Sequence, residues 1–194
     1  PDPDAENVQT LWRLLSALDK HADFVLLYDE QVMNRDSWPY IDFANQHMGK
    51  TLADTPSVWV ALRETEYDWF PEYGNYSFWL YQKDAVAGGK TVPLWNIGSA
   101  PEGRYTRRTD STSSNYYMFF DVDNGFIYDG TNTVTINVTY LDRGQDTWEL
   151  QYDATSNANK SAGAVTKTNS GAWKTKTSTL TDAIGYPAFR RPSP

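Results

Sequence analysis

The sequence contains no cysteine. Disulfide bonds, thiolate metal sites and cysteine nucleophiles are therefore excluded together. Histidine is nearly absent as well: His21 and His47 are the only two, and they are not spaced as metal ligands or as members of a catalytic triad. We interpret both as structural residues, with His21 at the C-terminal end of a predicted helix, where its charge suits the helix dipole.

Concentrated positive charge and long apolar runs are also missing. The chain has 17 Lys and Arg against 25 Asp and Glu, a formal net charge of -8, and "GRYTRR" at residues 103–108 is its one basic cluster. Nucleic acid is not an expected partner, because phosphate binding needs a concentrated basic surface. No apolar run approaches the ~20 residues of a membrane-spanning helix, so a membrane is not expected either.

Aromatic residues, by contrast, are abundant. They make up 15% of the 194 residues, with 8 Trp and 13 Tyr. Such a surplus favours recognition surfaces, because flat amphipathic rings bind through a large area at low entropy cost. The chain is otherwise rich in Thr, Asn and Ser, with a mean hydropathy of -0.63. This composition is typical of a secreted β-protein, and we expect an extracellular location.

The first part of the chain, residues 1–66, has an α/β pattern. "ENVQTLWRLLSALDKHA" predicts a helix with one apolar face, and "DSWPYIDFANQHMG" predicts a second helix. Each is followed by an apolar run, "DFVLLYDE" and "PSVWVALRE", that predicts a strand buried on both faces. Helix, strand, helix, strand is the order of a parallel α/β segment.

Residues 67–186 predict an antiparallel β-sandwich. Short runs such as "NYSFWLYQK", "NYYMFFDVDN", "SAGAVTKTN" and "AWKTKTSTL" alternate with turns rich in Gly, Asn and Asp. We therefore expect a mainly β protein, an antiparallel β-sandwich with a small N-terminal α/β segment. Residues 187–194 are expected to be a disordered tail.

One stretch of this half, "TVTINVTYLDRGQDTWELQYD" at residues 133–153, alternates strictly between apolar and polar residues. We interpret it as a hairpin with one face in the core and the other in water. The expected inner residues are Val134, Ile136, Val138, Trp148, Leu150 and Tyr152. The expected outer residues are Thr133, Thr135, Asn137, Thr139, Glu149 and Gln151. The outer face is expected to be solvated without a binding role.

Four stretches of the second half, "GRYTRRTD", "YYMFFDVDNGFIYDG", "VTINVTYLDRGQDTWELQYD" and "GAWKTKTSTLTD", resemble jelly-roll modules. These are similar to carbohydrate-binding modules of bacterial extracellular carbohydrate-active enzymes. The preceding residues 24–67 resemble the closing strand and helix of a glycoside-hydrolase-like (β/α) barrel. The resemblance implies a secreted bacterial protein with a polysaccharide or glycan partner. Upstream barrel strands are absent from the sequence, so we expect another segment or subunit to complete the fold.

Candidate catalytic residues follow from the barrel-like part. Glu30 stands where a predicted buried strand ends, the position at which barrel enzymes place catalytic acids. A glycosidase needs a second carboxylate about 5 to 10 Å away, and Asp29, Glu64 and Glu66 are the local choices. Glu30 and Glu64 are thus the catalytic candidates. The alternative, which we favour, is that Asp29 and Glu30 begin a polar loop or pair with Arg35.

A candidate metal site lies in "DVDNG". Asp121 and Asp123, with Asp129 nearby, offer oxygen ligands at alternating positions before a glycine, as hard cations such as Ca²⁺ require. An Asp/Asn turn without metal is the favoured alternative. No other cofactor is expected.

The candidate ligand-binding residues are aromatic side chains next to turns and polar runs. A sugar ring stacks its apolar face on an aromatic ring, while polar side chains bind its hydroxyl groups. We therefore predict a non-catalytic carbohydrate-binding or accessory module. The alternatives are a glycoside hydrolase fragment or subunit that uses Glu30, and an extracellular structural or assembly protein. The predicted binding residues are Trp95, Tyr105, Arg107, Asp110, Asn115, Tyr116, Tyr117 and Trp173.

Overall fold

The structure, a computed structural model, describes residues 3–27, 34–63, 74–97 and 104–185. Two compact units make up the chain, Pro1–Phe126 and Ile127–Pro194. The paired strands described in both units are antiparallel, and the described helices lie in the first unit. The expected mainly β, antiparallel fold with a small helical segment is therefore confirmed. The division predicted at residue 66 stays a prediction.

Two α-helices lie in the first 50 residues, among those that the structure describes. Helix α1, Pro3–Asp19, buries Thr10, Leu14 and Leu18 along one face, because residues four apart lie one above the other on a helix. A 3-10 turn, Arg35–Ser37, leads into helix α2, Trp38–His47, whose first turn contains proline. Proline is tolerated there because the first N–H groups of a helix have no partner within the helix.

Six short strands lie in the described residues of the first unit. Strand β1, Trp59–Ala61, pairs with β2, Tyr76–Phe78, and β3, Leu80–Gln82, pairs with β6, Phe120–Val122. Strand β4, Val92–Ile97, pairs with β5, Arg104–Arg108. All three pairs are antiparallel. The buried core joins the helices to β2 and consists of Leu14, Leu18, Ala44 and Phe78.

Both histidines pack their rings against aromatic residues of this unit. The Nδ1–H group of His47 donates to the carbonyl oxygen of Phe43 at 2.8 Å, and its Nε2 shares a hydrogen bond with the hydroxyl of Ser57 at 2.8 Å. The ring of His21 packs on those of Phe78 and Trp79. The ring nitrogens of His47 are thus already bonded within the protein.

The parallel α/β arrangement predicted for this segment is wrong. The described part of "DFVLLYDE" forms no strand: Val25 and Leu27 pack on the core, whereas Phe24 and Leu26 are each 83% exposed. The second apolar run does form β1, but its partner is antiparallel. An apolar run predicts burial on two faces only if neighbouring strands are present, and a short run does not specify its neighbour.

The described part of the second unit, residues 127–185, has four strands in two antiparallel pairs. Strand β7, Thr131–Leu141, pairs with β10, Trp173–Ile184, along nearly its whole length. Strand β8, Thr147–Tyr152, pairs with β9, Lys160–Thr166. The rings of Tyr140 on β7 and Trp148 on β8 meet edge to face with centroids 5.1 Å apart, so side chains of the two pairs pack together.

The hairpin predicted for residues 133–153 is also wrong, although its two faces are correct. Strands β7 and β8 follow each other in sequence but belong to different strand pairs. Their alternation is as expected, with the six predicted inner residues partly buried and the six outer residues exposed. Two consecutive strands turn one face toward a core whether they pair with each other or with other strands. The alternation of apolar and polar residues therefore cannot distinguish these two arrangements.

Hydroxyl and amide groups bond to one another on the outer face of β7 and β10. Thr139 and Thr175 share a hydrogen bond at 2.9 Å, and Thr177 donates to the side-chain oxygen of Asn137 at 2.7 Å. These residues stand directly opposite each other in the strand register. The polar pairs stabilise the sheet across the strands, in keeping with a solvated face.

A buried carboxylate anchors the turn between β9 and β10. Asp142 is fully buried and accepts hydrogen bonds from the backbone and hydroxyl groups of Thr168 and Ser170, and from Lys174 Nζ at 2.6 Å. The hydrogen bonds from Lys174, Ser170 and Thr168 hold the pKa of Asp142 far below its usual range. The charged form therefore organises residues 167–172.

A second polar cluster connects the strand pairs. Asp182 on β10 accepts from the hydroxyl of Tyr152 on β8 and from Lys160 Nζ on β9, each at 2.6 Å. The hydrogen bonds from Lys160 and Tyr152 lower the pKa of Asp182. Because the three groups come from three strands, the cluster links the β7–β10 pair to the β8–β9 pair.

We expect Asp142→Asn to lower the melting temperature by about 5 °C or more at neutral pH. The native pKa of Asp142 is depressed, so its contribution is complete above the unfolded pKa of about 3.9 and is lost as the pH falls toward the native pKa. The difference between the two proteins should therefore shrink between about pH 5 and about pH 2. Thermal unfolding across this range measures it.

The exposed Asp129 is the matched control, because Asn tolerates its positive φ of 40°. Asp129→Asn should leave the melting temperature unchanged. A stability difference for Asp142→Asn that stays constant throughout the acid range would contradict the assigned role of the Asp142 carboxylate.

Candidate functional site

The site is built from two neighbouring loops of the first unit, and the first of them joins β3 to β4. Its ends are tied by Asp84, whose carboxylate accepts from Thr91 N at 3.0 Å and from Thr91 Oγ1 at 2.7 Å. Burial raises the pKa of Asp84, but hydrogen bonds from Gln82 and Thr91, with the charge of Arg107, lower it on balance. Asp84 thus stays ionised and closes the loop.

Arg107 on β5 binds both ends of this loop through its guanidinium group. Its guanidinium group forms an ion pair with Asp84 at 2.7 Å, donates from Nε to Thr91 Oγ1, and donates to the carbonyl oxygen of Arg63 at 3.0 Å. The residue is only 8% exposed. Arg107, which the sequence predicts to bind the glycan, is therefore buried, and its N–H groups donate to protein acceptors.

The second loop follows β5. Asp110 and Asn115 exchange two backbone hydrogen bonds, each 2.9 Å long, and so close a turn around the 3-10 helix Ser111–Ser113. Ser114 adopts the left-handed conformation with a φ of 59°. The predicted polar residues Asp110 and Asn115 thus shape the loop with their backbones, and Tyr116 follows at once.

Backbone contacts hold the two loops side by side. Tyr117 N donates to the carbonyl oxygen of Gly88 at 3.3 Å, and Lys83 N donates to that of Phe119 at 2.9 Å. The ring of Phe119 lies so close to Gly89 that a Cβ atom there would be 2.5 Å from its Cδ2 atom. Phe119 in turn supports the ring of Tyr117, with centroids 5.7 Å apart.

Three apolar side chains project from this pair of loops. Tyr116 is 61% exposed, Tyr117 55% and Val86 42%. We call these three residues the tyrosine patch. Ser111, Thr112, Ser113 and Ser114, all exposed, place hydroxyl groups on the same loop as the tyrosines. The site therefore combines exposed aromatic rings with hydrogen-bonding groups on a closed backbone.

The other predicted aromatic residues lie elsewhere. Tyr105 is half-buried, packs edge to face on Trp12 at 5.1 Å and lies under the guanidinium group of Arg63, so it belongs to the packing of the first unit. Trp173 begins β10 in the second unit and is partly buried. The backbone of Trp95 lies in β4, while its side chain lies outside the described residues.

The three acidic residues predicted to bind Ca²⁺ have other partners. Asp121 pairs with Lys83 at 3.3 Å, Asp123 accepts from Gly125 N as in an Asx turn, and Asp129 accepts from Gly130 N. Within the described ranges, no group of three or more acidic or histidine side chains is placed to hold a metal ion. The calcium site stays a prediction of the sequence.

The predicted catalytic residues Glu30 and Glu64 both lie outside the described residues. Their catalytic role and their separation therefore stay predictions. The same holds for the tail at residues 187–194.

Three groups that shape the site went unpredicted. Asp84, Thr91 and Val86 belong to "DAVAGGKT", which reads in sequence as a Gly-rich connection. The sequence does hold one signal for this closed loop. An acidic residue and a threonine stand seven positions apart on either side of a Gly-Gly pair, and such residues close loops through side-chain hydrogen bonds.

No helix in the described part of the chain is long and apolar enough to cross a membrane. No protein-family model, curated protein or solved structure matches the chain. The resemblance to jelly-roll carbohydrate-binding modules therefore stays a prediction.

We expect Gly89→Ala to destabilise the first unit and displace the ring of Phe119. Forcing a methyl group into a filled space costs about 1 to 3 kcal/mol of unfolding free energy. The change should appear in denaturant unfolding and in the near-ultraviolet circular dichroism of the tyrosines.

The combination with Phe119→Leu provides the control for this prediction. Removing the ring edge that clashes should recover part of the stability, so the two changes should be non-additive in a double-mutant cycle. Strict additivity of the two changes would contradict the packing of Gly89 against Phe119.

Proposed function

We propose that the protein is a non-catalytic carbohydrate-binding module, or an accessory part of a secreted glycan-degrading protein, that binds polysaccharide at the tyrosine patch. The observation that carries the proposal is the exposure of Tyr116 and Tyr117 on a loop closed by backbone hydrogen bonds. Both rings are more than half exposed, so most of their surface is available to a ligand.

Sugar rings suit this surface for a physical reason. The axial C–H groups of a pyranose form an apolar face that stacks on an aromatic ring, while its hydroxyl groups need polar partners around the rim. The exposed hydroxyl groups of Ser111–Ser113 and Ser114 provide such partners. Binding then consists of stacking and hydrogen bonding, with no covalent step.

The closed loops also favour affinity. Ordering a flexible loop on binding costs free energy, because the loop loses conformational entropy. A loop that is already closed loses less of this entropy when the ligand binds. The Asp84 and Arg107 contacts hold the first loop, and the Asp110–Asn115 backbone pair holds the second. Tyr117 is further supported by Phe119, which limits the orientations of its ring.

The two other functions considered from the sequence have less support. A glycoside hydrolase that uses Glu30 depends on a residue outside the described part of the chain. An assembly protein would use an exposed apolar surface, for which Phe24 and Leu26 are available. Neither offers rings and hydroxyl groups on one closed loop.

We expect Tyr116→Ala and Tyr117→Ala each to weaken glycan binding about tenfold, because losing an anchoring ring costs about 1 to 2 kcal/mol of binding free energy. A broad glycan array identifies the ligand, and isothermal titration with that ligand measures the change in Kd.

Tyr128→Ala is the matched control. Tyr128 is 63% exposed, as the patch tyrosines are, but it lies in the second unit and outside both loops. Its loss should leave the Kd unchanged. Absence of binding across the whole array, or equal weakening by all three substitutions, would refute the proposed site.

A further inference from the structure

The charged groups around the tyrosine patch are largely matched in pairs. Lys83 Nζ lies 3.3 Å from Asp121 Oδ2, and Arg108 Nη1 lies 3.9 Å from Asp110 Oδ1. Beneath the first loop, Arg107 is paired with Asp84 at 2.7 Å. A cation that already has a carboxylate partner has a weaker net attraction for a second anion.

The backbones of Lys83 and Asp110 connect these two surface pairs to the loops that carry the patch. Lys83 donates its backbone N–H to Phe119, and Asp110 closes the loop that carries Tyr116. Lys90, at the end of the Gly-Gly pair, is exposed and forms no ion pair within the described part of the chain. A single exposed lysine is far less than the cluster of cations that recognition of a polyanion requires.

The charge of the whole chain acts in the same direction. With 25 acidic against 17 basic residues, the formal net charge of -8 repels an approaching polyanion at long range. At the patch itself, the proposed binding free energy comes from ring stacking and from hydrogen bonds to uncharged hydroxyl groups. Neither interaction needs a charged ligand.

We infer that the tyrosine patch binds uncharged polysaccharides and discriminates against acidic ones, such as those built from uronic acids or carrying sulfate esters. This inference rests on the proposed function of the patch and adds the chemical class of its ligand. The discrimination comes from the paired cations, whereas the affinity comes from the rings. Binding of the neutral ligand is consequently insensitive to salt, because no ion pair forms between protein and sugar.

Matched pairs of polysaccharides that share a backbone and differ in charge test the inference with the full chain. Suitable pairs are hydroxyethyl cellulose with carboxymethyl cellulose, dextran with dextran sulfate, and methyl-esterified pectin with polygalacturonate, next to a panel of neutral xylans, mannans, galactans and β-glucans. Affinity electrophoresis ranks them, and titration measures Kd between about 0.01 M and about 1 M salt, where the Debye length falls from about 30 Å to about 3 Å. Lys90→Ala and Tyr117→Ala are measured alongside.

We expect at least one neutral polysaccharide to bind, its acidic counterpart to bind about tenfold or more weakly, and the neutral Kd to change less than about twofold with salt. Lys90→Ala should leave that Kd unchanged, and Tyr117→Ala should raise it. Preferential binding of the acidic member, lost in high salt and in Lys90→Ala, would overturn the inference while leaving glycan binding in place. Absence of binding to every polysaccharide would instead overturn the proposed function.

Discussion

The guanidinium group of Arg107 is the contact on which the candidate site depends. It is nearly excluded from water and connects strand β5 to the carboxylate of Asp84 and the hydroxyl of Thr91, so it joins the framework of the first unit to the loop beneath the tyrosines. A buried arginine is stable only when its donors are satisfied, and here the carbonyl oxygen of Arg63 receives another of them. Without this ion pair, the loop that carries Gly88 would lose a connection between Asp84 and strand β5.

The second unit uses the same principle with different residues. Its hydrophobic side chains are mostly half-buried, and Ala154, Leu180 and Ala183 are its fully buried apolar residues among those described. Polar anchors supply part of the specificity that a larger core would give: Asp142 fixes the turn between β9 and β10, and Asp182 joins three strands. In both units, then, a buried or half-buried carboxylate determines how loops and layers meet.

The sequence predicts those features that depend on local periodicity and not those that depend on partner choice. The alternation of residues 133–153 correctly assigns the faces of β7 and β8, but not that Val134 lies opposite Leu180 on β10. Similarly, the polar run before Tyr116 and Tyr117 correctly indicates exposed rings. The same reasoning predicts that Arg107 binds the ligand. Nothing local in the sequence reveals that its guanidinium group pairs with Asp84, 23 positions away.

The central claim, that the loops carrying Tyr116 and Tyr117 bind a neutral glycan, is most directly tested by following backbone amide resonances during titration with a neutral oligosaccharide. The account predicts that the largest shifts fall on residues 85–90 and 110–119, with the outer face of β7 and β10 unaffected. Shifts confined to that threonine-rich face, or scattered over both units without a maximum at these loops, would contradict it.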